Sequence, residues 1–144
     1  MPIRRILVPV DFSPESLRAA GIAHDIAEQT GARLRFLTVL DVGDLRAALH
    51  AQLSGFRTDE EVHLQLQRWI RRQYSAIDMR GATRTVRRGI AEKEIVAAIE
   101  GYRPDLVIMG SSGLMRRLPV GSTTEYVLRH SPVSVLVVKP PART

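Results

Sequence analysis

The sequence predicts a single α/β domain in which a parallel sheet is covered by helices on both faces. Short apolar runs alternate with segments that have the helical spacing of apolar residues, and most of the runs are nearly continuous. Such strands are buried on both sides, as in parallel sheets whose crossover helices cover both faces. The 144 residues match one ordinary domain, and no repeat, low-complexity run or linker divides them. We therefore expect one domain over residues 1–144.

The first strand and the first helix are bounded by turn-forming residues. Residues 3–10 read IRRILVPV, a run rich in branched side chains that stops at Asp11. Ser13 before Pro14 predicts an N-cap with proline in the first turn, and Gly31 is placed to end the helix. The apolar spacing predicts an inward face made of Leu17, Ala20, Ala23, Ile26 and Ala27.

A second strand and two helical segments are predicted next. Residues 33–40, RLRFLTVL, predict a strand that becomes wholly apolar as it enters the core. A short helical piece is expected at residues 44–53, and a longer helix at residues 58–76. Thr58 and Glu61 form a capping box at its start. The apolar stripe of the longer helix is Val62, Leu66, Trp69 and Ile70.

The C-terminal part of the sequence predicts three more strands and two helices. A weak third strand at residues 83–86 ends at Gly89, where the chain turns into a helix. The expected elements then follow in the order helix 92–100, strand 106–109, helix 122–129 and strand 133–138.

The segment after the fourth strand has the strongest functional signal. Residues 109–113, MGSSG, are followed after seven residues by 121–124, GSTT, at the start of a helix. Glycines let a backbone approach a ligand closely, and the free N–H groups of a helix N-terminus attract phosphate. Asp11 ends another strand, where ligands of open α/β sheets lie, and can accept hydrogen bonds from ribose hydroxyls. The residues alone leave a second interpretation open, an ordinary glycine turn followed by a Ser/Thr helix cap.

Four segments together resemble the universal stress protein family over essentially the whole chain. They are ILVPVDFSPES, the V-x-x-G-x-x pattern at residues 86–91, DLVIMGSSG and GSTTEYVLRHSPVSVLVV. The resemblance implies a doubly wound, five-stranded parallel sheet with the strand order 3-2-1-4-5, of the adenine nucleotide alpha-hydrolase-like type. It also implies ATP or another adenine nucleotide as the cofactor, which Mg²⁺ can accompany.

The resemblance extends to individual residues of the expected site. Family members that bind ATP have G-x2-G-x9-G-[S/T] after the fourth strand, which implies these roles for Gly110, Gly113, Gly121 and Ser122. The other implied contacts are Pro9, Val10 and Asp11 beside adenine and ribose, the backbone of Val39 at adenine, Met109 at the nucleoside, and Thr123 and Thr124 at the phosphates.

The glycine loop departs from the family pattern. Seven residues, 114–120, separate Gly113 from Gly121 where the pattern has nine, and two residues span at most about 7 Å of extended chain. Arg116 and Arg117 on this loop either pair with phosphate oxygens or are simply solvated, and the second interpretation is favoured. Two functions therefore stay open. One is a nucleotide-binding signalling module, and the other is a dimeric stress-response or partner-binding module without nucleotide.

Several other functional classes are disfavoured. The chain has no cysteine, which excludes disulfides and thiolate chemistry, and its four histidines have no metal-ligand spacing. No nucleophile elbow, Walker A sequence or dinucleotide fingerprint occurs, so no catalytic residue is assigned and at most slow ATP hydrolysis is expected. The net charge of +6 comes from scattered arginines, so nucleic acid is not expected as the main partner. The apolar run near the N-terminus is too short for a signal peptide or a membrane span, which favours a cytoplasmic protein.

The last strand predicts self-association. In the implied strand order residues 133–138, VSVLVV, form an edge of the sheet, and an exposed apolar edge aggregates unless something covers it. A homodimer that pairs these edges is therefore expected, and the family resemblance implies the same.

Overall fold

The computed structural model describes residues 2–40, 59–111 and 120–140. In chain order the described elements are β1 (Arg5–Pro9), α1 (Pro14–Thr30), β2 (Arg33–Leu40), α2 (Asp59–Tyr74), β3 (Ala82–Arg88), α3 (Ala91–Tyr102), β4 (Leu106–Gly110), α4 (Ser122–His130) and β5 (Ser134–Val138). Five sequence predictions lie outside the described residues, namely those for the helical piece at 44–53, Thr58, Gly113, Arg116 and Arg117.

The five strands form one parallel sheet in the order β3-β2-β1-β4-β5. The predicted α/β class and the strand order 3-2-1-4-5 are therefore confirmed. β1 is central and pairs with β2 from Arg5↔Arg33 to Pro9↔Leu37. It pairs with β4 on its other side, beginning at Ile6↔Leu106. The direction in which the chain adds strands reverses between β1 and β4, and such a reversal opens a crevice at the carboxyl ends of the strands.

The sheet is buried on both faces, which explains the continuous apolar runs. Ile6, Leu7 and Val8 are each 0% exposed, although neighbouring side chains of a strand point to opposite faces. Ile6 and Val8 belong to a cluster that includes residues of α1 and α2. Leu7 belongs to the second cluster, which includes residues of α3 and α4. Two of the described helices therefore cover each face.

Both predicted ends of α1 are confirmed. The Ser13 hydroxyl accepts a hydrogen bond from the Ser16 backbone N–H at 3.2 Å, and Pro14 occupies the first turn. Gly31 adopts the left-handed conformation with φ 74°, and its N–H donates to the Ala27 carbonyl at 2.8 Å. Glycine adopts this conformation without strain, which is why it ends the helix here.

The buried face of α1 differs in part from the prediction. Ala20 and Ala23 are buried as expected, whereas the larger residues of the predicted stripe are only partly buried. These partly buried residues are Leu17, Ile26 and Ala27. The first turn of the helix is buried instead, because it lies against the end of β4. The buried residues that the apolar stripe missed are Glu15, Ser16 and Ala19.

β3 is longer than predicted. Pairing with β2 runs from Leu34↔Ala82 to Leu40↔Arg88 and adds Arg87 and Arg88 to the strand. The sequence of this edge strand, ATRTVRR, is polar, so its strand character depends on backbone pairing more than on an apolar run.

Tyr74, at the end of α2, is also buried although the predicted stripe omitted it.

Candidate functional site

The carboxyl ends of β1 and β4 bring most of the predicted site residues together. The pairing Leu7↔Val107 places Pro9 beside Met109 and Val10 beside Gly110 when the same register is continued. The β1 residues are also bound to β2, since the Val10 N–H donates to the Leu37 carbonyl at 2.8 Å. The pairing Pro9↔Leu37 puts Val39 further along at the same rim of the sheet. Gly113 lies outside the described residues.

The turn after β1 presents a carboxylate to solvent. Asp11 is exposed, and its Oδ1 accepts a hydrogen bond from the Ser13 N–H at 3.0 Å. An aspartate that bonds the backbone two residues ahead stabilises a tight turn. This bond fixes the carboxylate at the mouth of the crevice, where the hydroxyls of a ligand can reach it.

Phe12 holds this turn in an unusual backbone conformation. Its φ is 64°, in the left-handed region that bulky residues rarely adopt. The ring makes edge contacts with Trp69 at 5.6 Å and with Tyr74 at 5.1 Å between centroids. Both partners belong to α2, so that helix stabilises the conformation of the turn that bears Asp11. The apolar periodicity of the sequence had given Phe12 no role.

The Tyr74 side chain is itself held in the core. Its hydroxyl shares a hydrogen bond of 2.7 Å with the Thr38 hydroxyl, and both residues are buried. Burial raises the pKa of Tyr74 above its usual value, while the bond to Thr38 and the charge of Arg84 act in the opposite direction. Folding therefore favours the protonated, neutral form of the Tyr74 side chain.

The two ends of the glycine loop are tied to each other. The Gly121 N–H donates to the Ser111 carbonyl at 2.7 Å, and the Ser111 N–H donates to the Val138 carbonyl at 3.0 Å. Ser111 is almost completely buried. These bonds fix where the loop leaves β4 and where it enters α4, whatever path it takes between them. Ser111 is a positioning residue that the sequence prediction had not singled out.

The N-terminus of α4 has backbone donors that the helix itself leaves without acceptors. Gly121 is the N-cap, and among the described residues no side chain caps this helix end. The first intrahelical bond runs from the Glu125 N–H to the Gly121 carbonyl at 2.9 Å. The amides of Ser122, Thr123 and Thr124 therefore have no acceptor within the helix. Such an end attracts anions, through these donors and through the helix dipole.

The hydroxyl of Thr124 makes a contact within the protein. It is buried and donates to the Gly110 carbonyl at 2.9 Å, which ties α4 to the end of β4. Ser122 is exposed and Thr123 is half-buried, so these two residues lie nearer to solvent. Glu125, also in the first turn, forms an ion pair with Arg129 at 2.7 Å, which offsets its negative charge.

Gly110 allows β4 and α1 to pack closely. A Cβ at this position would lie 2.9 Å from the Glu15 Cβ and 3.1 Å from the Ser16 nitrogen. Real Cβ atoms essentially never approach another atom so closely, so any side chain would force the strand and the helix apart. The glycine therefore has a packing role in addition to the ligand role expected from the sequence.

Comparison with known proteins identifies the family. The model of the universal stress protein family matches residues 2–139. The chain belongs to the universal stress protein family. A curated relative, universal stress protein MJ0531 of Methanocaldococcus jannaschii, is 29% identical over 144 residues, which cover 97% of this chain and 84% of the relative.

Two solved structures share this fold. Hypothetical protein MJ0577 superposes with a TM-score of 0.76 at 23% identity, over 99% of this chain and 100% of that protein. A universal stress protein in complex with cAMP superposes with a TM-score of 0.64 at 24% identity, over 98% of this chain and 100% of that protein. These superpositions support the α/β fold described above.

Two further findings concern the described residues only. No helix among residues 2–40, 59–111 and 120–140 is long and apolar enough to cross a membrane. In the same ranges no three His, Asp or Glu side chains are grouped so that they could hold a metal ion.

Proposed function

We propose that this universal stress protein binds an adenine nucleotide at the carboxyl ends of β1 and β4 and acts as a stress-response signalling module. The main support is the uncapped N-terminus of α4, whose amides lie at the same rim of the sheet as the exposed Asp11 carboxylate. Anion donors and a carboxylate at neighbouring strand ends suit a ligand with phosphate at one end and ribose hydroxyls at the other. A family structure in complex with cAMP supports the same ligand class.

Each part of the nucleotide has a proposed partner. Asp11 accepts hydrogen bonds from the ribose, while Pro9, Val10 and the backbone of Val39 border adenine. Met109 lines the nucleoside. The phosphates lie against Gly110 and Gly113 and against the start of α4.

At that helix the backbone amides of Ser122 and Thr123 are the proposed donors. Thr124 contributes its amide, since its hydroxyl is bound to Gly110. ATP is the proposed ligand. A Mg²⁺ ion bound to it would be coordinated mainly by phosphate oxygens and water, because Asp11 is the one carboxylate among these proposed site residues. A cytoplasmic location stays a prediction.

Isothermal titration with ATP, ADP, AMP and cAMP tests the proposal. The purified protein is first checked for carried-over nucleotide, since an occupied site would hide binding. Gly121→Val should abolish binding, because its side chain enters the path of the phosphate. Asp11→Asn should weaken binding about tenfold, as expected when a hydrogen bond to a charged group becomes a neutral one. Asp25→Asn, which removes an exposed carboxylate from α1, is the matched control and should bind normally.

A second readout uses the fluorescence of Trp69, the single tryptophan of the chain. Its ring contacts Phe12, which is next to Asp11, so nucleotide at the crevice should change its emission. Folded protein, free of carried-over nucleotide, that gives neither heat nor a fluorescence change with any of the four nucleotides would refute the proposal.

The alternative function is a dimeric partner-binding module that binds no nucleotide. Under both functions the last strand favours association of two copies of the chain. β5 is an edge strand on which Leu136 is 39% exposed, and Leu128 of α4 is exposed as well. An apolar edge of this kind pairs readily with a second copy. We propose a homodimer through residues 133–138.

Sedimentation equilibrium tests the dimer. The unmodified chain should sediment as a dimer, and Leu136→Lys should shift it toward monomer. Val86→Lys, at an exposed apolar position of the opposite edge strand, is the control and should remain dimeric. A monomeric unmodified chain would refute the dimer. A dimer that binds no nucleotide would favour the alternative function.

A further inference from the structure

A small cavity lies on the α3 side of the sheet, away from the crevice. Its volume is about 110 Å³, and its polar lining comes from Arg35, Thr85, Arg87 and Tyr102. Arg35 is on β2, Thr85 and Arg87 are on β3, and Tyr102 is the last residue of α3. The remaining lining residues are apolar or glycine, so the polar groups of the cavity are mainly cationic and hydroxyl groups.

The cavity is separate from the proposed nucleotide site. Arg35 precedes Val39 by four residues on β2, a distance of about 13 Å along the strand. Tyr102 lies near the start of the central strands, because the chain continues through the Asp105 N–H, which donates to the Arg5 carbonyl at 2.8 Å. The volume is also well below the roughly 300–1,000 Å³ of sites for drug-sized ligands, so a small ion fits here better than a nucleotide.

Arg35 has a guanidinium donor that no described residue accepts. Its guanidinium carbon lies 4.0 Å from the centre of the Tyr102 ring. Its Nε–H is buried and has no hydrogen-bond partner in the part of the chain that the structure describes. A buried donor without an acceptor is costly, and more so on a charged group. The stacked ring fixes the plane of the guanidinium, so the donor is held in place before any ligand arrives.

The surrounding charges leave this cavity positive. Arg5 lies 5.5 Å from the centre of the same Tyr102 ring, so two guanidinium groups flank one aromatic side chain. Arg87 is neutralised, because its Nε donates to the Glu94 carboxylate at 2.8 Å. Within the described ranges neither Arg5 nor Arg35 forms an ion pair with a carboxylate. The Asp105 carboxylate interacts with the charge of Arg5, so the uncompensated charge at the cavity is that of Arg35.

We propose that this cavity is a binding site for a small phosphate-type oxyanion. The guanidinium of Arg35, which lines the cavity, is the main donor to the anion, and its fork geometry suits two contacts to the same anion. Thr85, which pairs with Leu37 on the neighbouring strand, also lines the cavity, and its hydroxyl donates a further hydrogen bond to the anion. The anion offsets the charge of Arg35, which forms no ion pair within the described ranges. The source is either inorganic phosphate or the terminal phosphate of a small metabolite.

Nuclear magnetic resonance of the ¹⁵N-labelled chain tests the site directly, because arginine Nε–H groups give their own signals. Inorganic phosphate is titrated at constant ionic strength, balanced with chloride. The Arg35 Nε–H signal should move and reach saturation. The amides of Ser122 and Thr123 report separately on the proposed nucleotide site, so failure of one proposal does not imply failure of the other.

Matched variants establish the origin of the signal. Arg35→Gln should lose saturable binding, observed at the Thr85 amide. Arg33→Gln removes an exposed arginine from the same strand and should bind as the unmodified chain does. Thr85→Val keeps the side-chain volume and should weaken binding about tenfold through the loss of one hydrogen bond to an anion. It keeps the test decisive if Arg35→Gln fails to fold.

The outcomes separate clearly. Saturation by inorganic phosphate but not by methyl phosphate supports the site and identifies free phosphate as its ligand. Saturation by both supports the site and identifies a terminal phosphate group. A shift that rises linearly without saturation, an equal shift with chloride alone, or equal affinity in Arg35→Gln and the unmodified chain would each overturn the proposal.

Discussion

Replacing Gly110 by alanine tests the packing of β4 against α1. The new Cβ would lie 2.9 Å from the Glu15 Cβ, and two backbone atoms of Glu15 and Ser16 would lie 3.1 Å away. Since backbone atoms cannot swing aside as the end of a flexible side chain can, the strand and the first turn of the helix must separate. No left-handed φ is involved at Gly110, so the expected effect is purely one of space.

The magnitude follows from two opposing contributions. Adding a methyl group to a closely packed contact costs about 1–3 kcal/mol. The substitution also restricts the unfolded chain, which stabilises the fold by about 0.4–1 kcal/mol. The net loss is therefore about 1–2 kcal/mol, or a fall of about 3–7 °C in the melting temperature of a chain this size.

Urea unfolding followed by circular dichroism measures the loss. Gly21→Ala is the matched control, because Gly21 lies within α1 and nothing comes within 4 Å of its added Cβ. That control should stabilise the fold by about 0.8–1 kcal/mol through helix propensity alone. If Gly110→Ala is as stable as Gly21→Ala, the close contact between β4 and α1 is not a constraint and the reasoning is wrong.

Three further predictions concern single side chains. Asp105 accepts the N–H groups of Arg4 and Arg5 at 2.7 and 2.9 Å, which lowers the pKa of its carboxyl below 3.8. The stabilisation by the ionised Asp105 carboxylate is present above the unfolded pKa and is lost as the pH falls through the folded pKa. Between pH 7 and pH 2 the melting temperature of Asp105→Asn should therefore fall less than that of the unmodified chain. An equal fall would contradict this. Burial raises the pKa of Tyr74 above 10.0, so its contribution is present below that value and lost as the pH rises through the folded pKa. Tyr74→Phe removes the hydrogen bond to Thr38 and should lower the free energy of unfolding by about 1 kcal/mol at pH 7. In urea titrations above pH 10 the variant should lose less further stability than the unmodified chain. An equally large further loss in both proteins would refute this. Ser13→Ala removes the cap of α1 and should cost about 1 kcal/mol in urea unfolding, whereas an unchanged midpoint would show that the cap contributes nothing.

The candidate site divides into a predictable part and an unpredictable part. The glycine and Ser/Thr residues at the start of α4 stand out in the sequence because anion sites depend on local backbone geometry. The packing of Gly110 against Glu15 and the burial of Ser111 do not, because they depend on elements far apart in the chain. Phe12 was missed for the same reason, since its conformation is supported by α2.

The sequence by itself determined the fold class, most element boundaries and both ends of α1. These features depend on apolar periodicity and on hydrogen bonds among residues at most four positions apart, as at Ser13 and Gly31. The strand order was expected only through the family resemblance. Tertiary structure alone decided the full length of β3 and the cavity beside Arg35, because strand pairing and stacking on Tyr102 join residues that no local pattern connects.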